Sequence, residues 1–402
     1  MGIVSKVDVH TSLGLMFTSA LLPQADKRRN SAEASGALAV FSQRHSCPCS
    51  QRSQVFLGDM RLIHASSLKL EEFFDDSIPP YAILSHRWGR EEVSLQEWMS
   101  ADRGAIEAKE GYNKIVRACQ LALSQGYEYV WADTNCIDKT SSAELSEAIN
   151  SMFHWYRASH VCYAYLGDVD KRSATETIHL IKQSCWFTRG WTLQELVAPV
   201  RIEFYSRDWQ CLGTKDSLVG ILSDITGIQP EYLSHKHRGK WYVTGDWREY
   251  MAQELFHAVP LQQASIATRL SWLARRTTTR IEDMAYCMLG ILDINMPLLY
   301  GEGRRAFKRL QEEVIKCSTD HSLFCWDSRL NVMDRSGFLA LSASDFQTAR
   351  GIGPGLGESL NWEKPSPYAM TNSGLHIQLP LLDAWTSHFA VLNAETTYHD
   401  GF

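Results

Sequence analysis

The sequence predicts an α/β protein, in which helices flank a parallel sheet and a mainly helical region and a small β-rich region follow. Short apolar segments alternate with amphipathic ones between 81 and 206, a pattern typical of parallel sheets covered by helices. Helical periodicity dominates 212–316. Strand-like segments at 323–326 and 375–379 are separated by loops rich in Gly, Pro and Ser.

Turn residues and periodicity define the elements of the alternating region. The first strand comes directly after Pro79 and Pro80, which end any preceding element. The next helix has apolar residues on one face and ends before Gly126. In chain order the predicted elements are the strand 81–85, the helix 112–125, the strand 127–132, the helix 142–157, the strand 161–166, the helix 192–197 and the strand 201–206.

The chain divides into four predicted regions. Residues 1–59 lack sustained periodicity, so we expect a disordered or weakly ordered extension. Residues 60–210 contain the alternating elements and form a compact domain. A helical companion region at 211–320 follows. The β-rich region 321–402 ends abruptly, and we expect it to be incomplete.

Composition limits the expected partners and compartment. The net charge of −6 shows no basic excess, so we expect no nucleic-acid partner. No apolar run reaches the roughly 18 residues of a membrane helix, so we expect no transmembrane segment. The ten cysteines are scattered, mostly in apolar runs, which is typical of free thiols in a reducing compartment. We therefore expect a cytoplasmic protein.

One short cluster contains metal-ligating residue types, namely His45, Cys47 and Cys49. It lacks a second pair of ligands at the spacing of zinc sites. The sequence therefore predicts no metal site.

Polar residues follow two of the predicted strands. In an open parallel sheet, ligands bind beyond the carboxyl ends of the strands. Ser85 ends one strand, Arg87 and Trp88 come just after it, and Asp133 follows another. Arg87 suits a phosphate, Ser85 a hydroxyl group and Trp88 a stacked base, so this cluster predicts a nucleotide site.

Purely structural roles compete with that interpretation. Trp88 could pack in the core while Arg87 pairs with an acid such as Glu91. Asp133 could cap a helix. By position His86 is the best candidate for a general base, but a lone histidine is more often a hydrogen-bonded structural residue.

Three segments together resemble the fungal heterokaryon-incompatibility (HET) domain. They are 81–89 (YAILSHRWG), 129–138 (YVWADTNCID) and 187–196 (FTRGWTLQEL). Each is weak alone, but their order and spacing are specific. The resemblance implies a role in non-self recognition, in which the protein triggers programmed cell death through self-association and contacts with other incompatibility proteins. The nucleotide-binding NTPase and repeat array of many relatives are missing from this sequence.

The third segment carries a more distant resemblance to TIR domains, which implies a TIR-like, flavodoxin-like sheet. Residues 191–196 (WTLQEL) are similar to the TIR sequence Trp-Cys-Leu-x-Glu-Leu, with Thr192 in place of Cys. The match aligns Glu195 with the catalytic glutamate of NAD hydrolysis, which implies NAD as substrate and no required cofactor. We expect Trp191 to share a helix face with Glu195 and to contribute to ligand binding. The structural alternative is an ion pair of Glu195 with Arg189 or Arg201.

The sequence is compatible with three functions. The first is a HET-domain trigger of incompatibility cell death. The second is an NAD glycohydrolase that uses Glu195. The third is an inactive, truncated member of the family.

Overall fold

The computed structural model describes most of the chain beyond residue 58. The described residues are 7–8, 59–74, 77–100, 104–234, 261–327, 337–354, 368–379, 381–384, 387–390 and 392–396. Of the predicted extension 1–59, only strand β1 (Val7–Asp8) and residue 59 are among them. His45, Cys47 and Cys49 lie outside the described residues.

The largest sheet has seven strands. They are β2 (Asp59–His64), β3 (Lys69–Phe74), β4 (Tyr81–His86), β5 (Tyr129–Trp131), β6 (Val161–Tyr165), β7 (Ile202–Tyr205) and β8 (Cys211–Thr214). Their spatial order is β3-β2-β5-β4-β6-β7-β8.

The centre of this sheet is parallel and its edges are antiparallel. Strands β5, β4, β6 and β7 pair in parallel, which confirms the predicted sheet at its centre. Strand β2 pairs antiparallel with β3 and β5, and β7 pairs antiparallel with β8, so the whole sheet is mixed. The connection 65–68 joins β2 to β3, and 206–210 joins β7 to β8. Both are too short for a parallel crossover, which needs a dozen or more residues, so these two pairs are antiparallel.

The strand order places a crevice beside the predicted site. Along the sheet, the parallel strands occur in the order second, first, third, fourth of their chain positions, as in flavodoxin-like sheets. The order reverses between β4 and β6, where connecting helices leave on opposite faces and open a crevice beyond the strand ends. Strand β4 ends at His86 and β6 at Tyr165, so the predicted polar cluster lies at this edge.

Helices cover the sheet, and the long ones match the predicted pattern. Helix α5 begins after Ser141, whose side chain accepts a hydrogen bond from the backbone N–H of Glu144. It buries Ile149, Phe153 and Tyr156 against the sheet. The helices of this part are α1 (Leu95–Met99), α2 (Gly104–Glu107), α3 (Glu110–Ser124), α4 (Asp133–Cys136), α5 (Ser142–Ala158), α6 (Ala174–Gln183) and α7 (Thr192–Val197).

The companion region is helical as predicted and packs on α5. A Cβ atom at Gly290 would lie 2.1 Å from the Cβ of Phe153, so only glycine allows this approach. One hydrophobic cluster of the described residues extends from Leu62 in the sheet to Leu310 in the companion region. The helices here are α8 (Val219–Thr226), α9 (Pro230–Leu233), α10 (Ile266–Ser271), α11 (Asp283–Tyr286), α12 (Leu289–Leu292) and α13 (Arg305–Cys317).

The C-terminal region contains small antiparallel sheets, which confirms its predicted β character. Strand β1 joins one of these sheets by pairing with β11. The predicted strand at 323–326 is wrong: His321–Phe324 form a 3₁₀ turn, because the Asp320 carboxylate accepts the backbone N–H of Ser322 and starts a helical turn. The strands are β9 (Ile352–Pro354), β10 (Ala369–Thr371), β11 (Gly374–Ile377), β12 (Leu381–Ala384), β13 (Ser387–Ala390) and β14 (Ala394–Thr396).

The close approach at Gly290 predicts a stability cost for any side chain there. We expect Gly290→Ala to lower the free energy of unfolding by about 1–3 kcal/mol through overpacking against Phe153. The matched control is Gly220→Ala in α8, where an added Cβ meets nothing within 4 Å. Urea unfolding followed by circular dichroism measures both variants. An unchanged free energy of unfolding in Gly290→Ala would contradict the close packing of Gly290 against Phe153.

Candidate functional site

A hydrogen-bonded pair, Ser85 and Glu195, lies at the centre of the site. Both side chains are buried, Ser85 at the end of β4 and Glu195 in α7. The Ser85 hydroxyl donates to Glu195 Oε2 at 2.5 Å, and the indole N–H of Trp186 donates to Ser85 Oγ at 2.9 Å. The structure thus brings together two residues that the sequence predicted from motifs 110 positions apart.

The Glu195 carboxyl group is poorly solvated. Burial raises its pKa to about 8, although hydrogen bonds from Ser85 and Tyr156 and the positive charge of Arg276 act in the opposite direction. At neutral pH the protonated, uncharged form therefore predominates. A buried carboxylic acid of this kind can be poised for proton transfer near neutral pH.

The structure does not contain the ion pair that was considered for Glu195. Arg201 pairs with Glu203, and the Arg189 guanidinium donates to Thr279 Oγ1 at 2.7 Å. Glu195 instead uses neutral donors, which is consistent with its uncharged form.

Trp88 is exposed, which excludes the alternative that it packs in the core. It is 48% exposed, its indole N–H donates to Asp133 Oδ2 at 2.8 Å, and Lys139 Nζ lies 3.8 Å from the ring centroid. Asp133 is the first residue of α4. Trp88 and Asp133, two residues of the predicted nucleotide site, are therefore in direct contact.

His86 is buried beneath this surface. Its Nε2 lies 3.7 Å from Glu92 Oε2 and 3.9 Å from Asp133 Oδ1, which is too long for a hydrogen bond. Neither ring nitrogen has a hydrogen-bond partner in the described part of the chain. Burial, and then the charge of Lys114, lower the pKa of His86, so the ring is neutral at physiological pH. The general-base role of His86 stays a prediction.

A cavity of about 650 Å³ opens at the crevice. Arg87 and Trp88 line it, together with Arg117, Trp209 and the ring of Trp186. Ser85, His86 and Glu195 are not among its lining residues. Among the predicted site residues, Arg87 and Trp88 therefore line the cavity, whereas Ser85 and Glu195 are linked to its wall through the Trp186–Ser85 hydrogen bond.

Trp191 occupies a different position from the other predicted residues. It is half-buried, and its indole N–H is bonded to Asp283 of the companion region. The role of Trp191 in ligand binding stays a prediction, whereas its contact with the companion region is part of the fold.

Several residues of the site were not identified from the sequence. Trp186 directly precedes the third motif, which is the one local signal that could have found it. Arg276 contacts Arg189 and Thr192 from more than 80 positions away, and no local pattern announces it. Lys215 is buried, and its Nζ donates to the carbonyl oxygens at the end of α7, those of Leu196 (3.2 Å) and Pro199 (2.6 Å).

The described residues contain neither a metal-binding group nor a membrane-spanning helix. Within the described ranges, no group of three or more His, Cys, Asp or Glu side chains is placed to hold a metal ion. None of the helices in those ranges combines the length and apolar character needed to cross a bilayer.

Comparison with known families finds a match for the part of the chain that contains Ser85, Trp88 and Asp133. Residues 81–182 match the family model described as Heterokaryon incompatibility protein (HET). This segment, from β4 into α6, is therefore similar to the HET family. This confirms the resemblance of the first two motifs, and the matched HET segment ends before Glu195. Residues 305–349 match a second model, a domain of unknown function named DUF8212.

A curated fungal relative extends the HET match. The chain is 45% identical over 247 residues to "Vegetative incompatibility protein HET-E-1" of Podospora anserina. The aligned part is 60% of this chain and 16% of that relative, so the chain spans only a small part of its length. No solved structure is significantly similar to the chain.

The double role of the Ser85 hydroxyl predicts a loss of stability on its removal. Ser85→Ala leaves the buried Trp186 N–H without its acceptor and removes one of the donors to Glu195, so we expect the free energy of unfolding to fall by about 1–3 kcal/mol. Ser124→Ala is the control: Ser124 is exposed, and we expect a change within about 0.5 kcal/mol. Guanidinium unfolding measures both. Equal stabilities of the two variants would contradict this assignment.

The raised pKa of Glu195 predicts a pH-dependent stability. The folded state keeps the proton up to about pH 8, whereas the unfolded state loses it near pH ~4.3. The stability that Glu195 contributes is therefore present at low pH and falls as pH rises between those values, by at most about 1.4 kcal/mol per unit. Relative to Glu195→Gln, the wild type should lose stability across this window in urea titrations. Parallel pH profiles would disprove it.

Proposed function

We propose that the HET domain of this chain triggers incompatibility-type cell death in fungal cells through self-association. The observation that carries the proposal is the 45% identity with a vegetative incompatibility protein, over an aligned length greater than the HET match alone. The free thiols of the described cysteines are consistent with action in the reducing cytoplasm. Other incompatibility proteins are the expected partners, because the matched relative is itself named as one.

A second candidate function is hydrolysis of NAD, with Glu195 as the catalytic residue. The specific observation in its favour is the buried Ser85–Glu195 pair directly behind a cavity of about 650 Å³ at the order reversal of the sheet. Arg87 and Arg117 are exposed on the cavity wall and suit phosphates, and Trp88 suits an aromatic ring.

The chemistry of this candidate is the cleavage of an N-glycosidic bond. NAD and water give nicotinamide, ADP-ribose and a proton. A carboxylate of Glu195 would stabilise the oxocarbenium-like transition state as the bond to nicotinamide breaks and water adds at the same carbon. Because the protonated form predominates at neutral pH and Trp186 and Ser85 lie between Glu195 and the cavity, this requires ionisation and a rearrangement of that layer.

Expression in a fungal host separates the two candidates. We expect induction of residues 1–402 to kill the cells. If the death is enzymatic, Glu195→Gln abolishes killing, and purified wild type consumes NAD on the order of 10²–10³-fold faster than this variant. Glu107→Gln, an exposed acid on α2, is the matched control and should behave as wild type.

Each outcome decides a candidate. Killing by both wild type and Glu195→Gln, without NAD consumption, excludes the hydrolase and retains the self-associating trigger. Survival of cells that accumulate folded wild-type protein would overturn the main proposal and leave the inactive, truncated alternative.

A further inference from the structure

The loop that leads into α7 is bound by backbone from the companion region. The N–H of Gly190 donates to the carbonyl of Thr277 at 2.9 Å, and the N–H of Thr277 donates to the carbonyl of Thr188 at 2.7 Å. Arg189 and Thr277 form a parallel bridge. A Cβ at Gly190 would lie 2.4 Å from Thr278 Cγ2, so the side chain of Thr278 leaves no room for a larger residue at position 190 unless it moves.

Arg276 reaches from this segment into the interior. It is only 4% exposed, and its Nη1 donates to the carbonyl of Arg189 and to Thr192 Oγ1, both at 2.9 Å. Thr192 is the first residue of α7, and its hydroxyl donates to the carbonyl of Trp186 at 2.5 Å. A single guanidinium group thus holds the start of the helix that carries Glu195, and the loop after Trp186.

The Arg276 guanidinium group also carries a buried positive charge and a donor that no described residue uses. Within the described residues, Arg276 Nη2 has no hydrogen-bond partner, although buried donors are nearly always satisfied. Burial lowers the pKa of Arg276 to about 10, so the group keeps its charge at physiological pH. A buried cation with a spare donor is costly unless an anion or another acceptor makes use of it.

We propose that Arg276 is a positioning residue for Glu195: from the companion region, it fixes the start of α7, and its positive charge favours the ionised form of the Glu195 carboxyl group. The proposal rests on the second candidate function for its consequence, since ionised Glu195 is the form that would stabilise an oxocarbenium ion. Its physical content, the effect of one buried charge on another, does not depend on catalysis.

The charge of Arg276 opposes the effect of burial on Glu195. Burial, and to a lesser extent the negative charge of Asp133, raise the pKa of Glu195, whereas the hydrogen bonds from Ser85 and Tyr156 and the attraction of Arg276 lower it. Removing the charge should leave burial less opposed, so the carboxyl group would ionise only at still higher pH. A second buried arginine of the companion region, Arg269, donates to the carbonyl of Ile291 and has no comparable link to α7. It therefore provides a matched control.

The experiment measures the ionisation of Glu195 directly. The full chain, with glutamate labelled by ¹³C at the side-chain carboxyl, is titrated by NMR, and Glu195→Gln assigns the resonance by its loss. We expect Arg276→Gln, which keeps a hydrogen-bond donor but loses the charge, to raise the pKa of Glu195 by about 1 unit. Arg276→Lys keeps the charge and should stay closer to wild type. Arg269→Gln should leave the Glu195 titration unchanged.

The outcomes separate this inference from the hydrolase proposal. An unchanged Glu195 titration in Arg276→Gln, or an equal shift in Arg269→Gln, overturns the inference even if the wild type consumes NAD. The expected shift in a protein that leaves NAD intact supports the inference while the hydrolase proposal fails. If NAD is consumed, the acid limb of the pH–rate profile should move upward in Arg276→Gln by the same amount. If Arg276→Gln does not fold, the test uses Arg276→Lys, which keeps the charge. A rise of about 1 unit in the pKa of Glu195 in this variant would overturn the inference, because the charge is still present.

Discussion

The hydrogen bond between Ser85 and Glu195 constrains much of the structure around it. A carboxyl group buried at the edge of a sheet is tolerated only if donors surround it and its charge is suppressed or balanced. Here the end of β4 supplies Ser85, the segment before α7 supplies Trp186, and α5 supplies Tyr156. Each of these elements must reach its place before the acid can be buried, so the site and the packing of the sheet form together.

Two buried cations from later in the chain bind the two ends of α7. Arg276 holds the beginning of this short helix, and Lys215 donates to the carbonyl oxygens at its end. Both cations are buried and both come from beyond the segment that matches the HET model. The orientation of Glu195 therefore depends on parts of the chain that the matched HET segment does not include.

Strand ends and local motifs were predictable from the sequence, whereas long-range contacts were not. The alternation of strands and helices placed Ser85 and Asp133 at the carboxyl edge, and the third motif singled out Glu195. No local pattern identifies Arg276, because its hydrogen-bond partners lie far away along the chain. The segment 323–326 was mistaken for a strand because an apolar run outweighed the turn-forming Asp320 that precedes it.

The absence of a side chain at Gly190 determines how closely two segments of the chain can pack. At this position the loop before α7 and the companion segment touch backbone to backbone, with Thr278 filling the space where a methyl group would project. A methyl group there would push the two segments apart without changing any of the polar residues of the site. At position 190, the strength of the linkage between the two segments can therefore be changed separately from the chemistry of the residues that they hold.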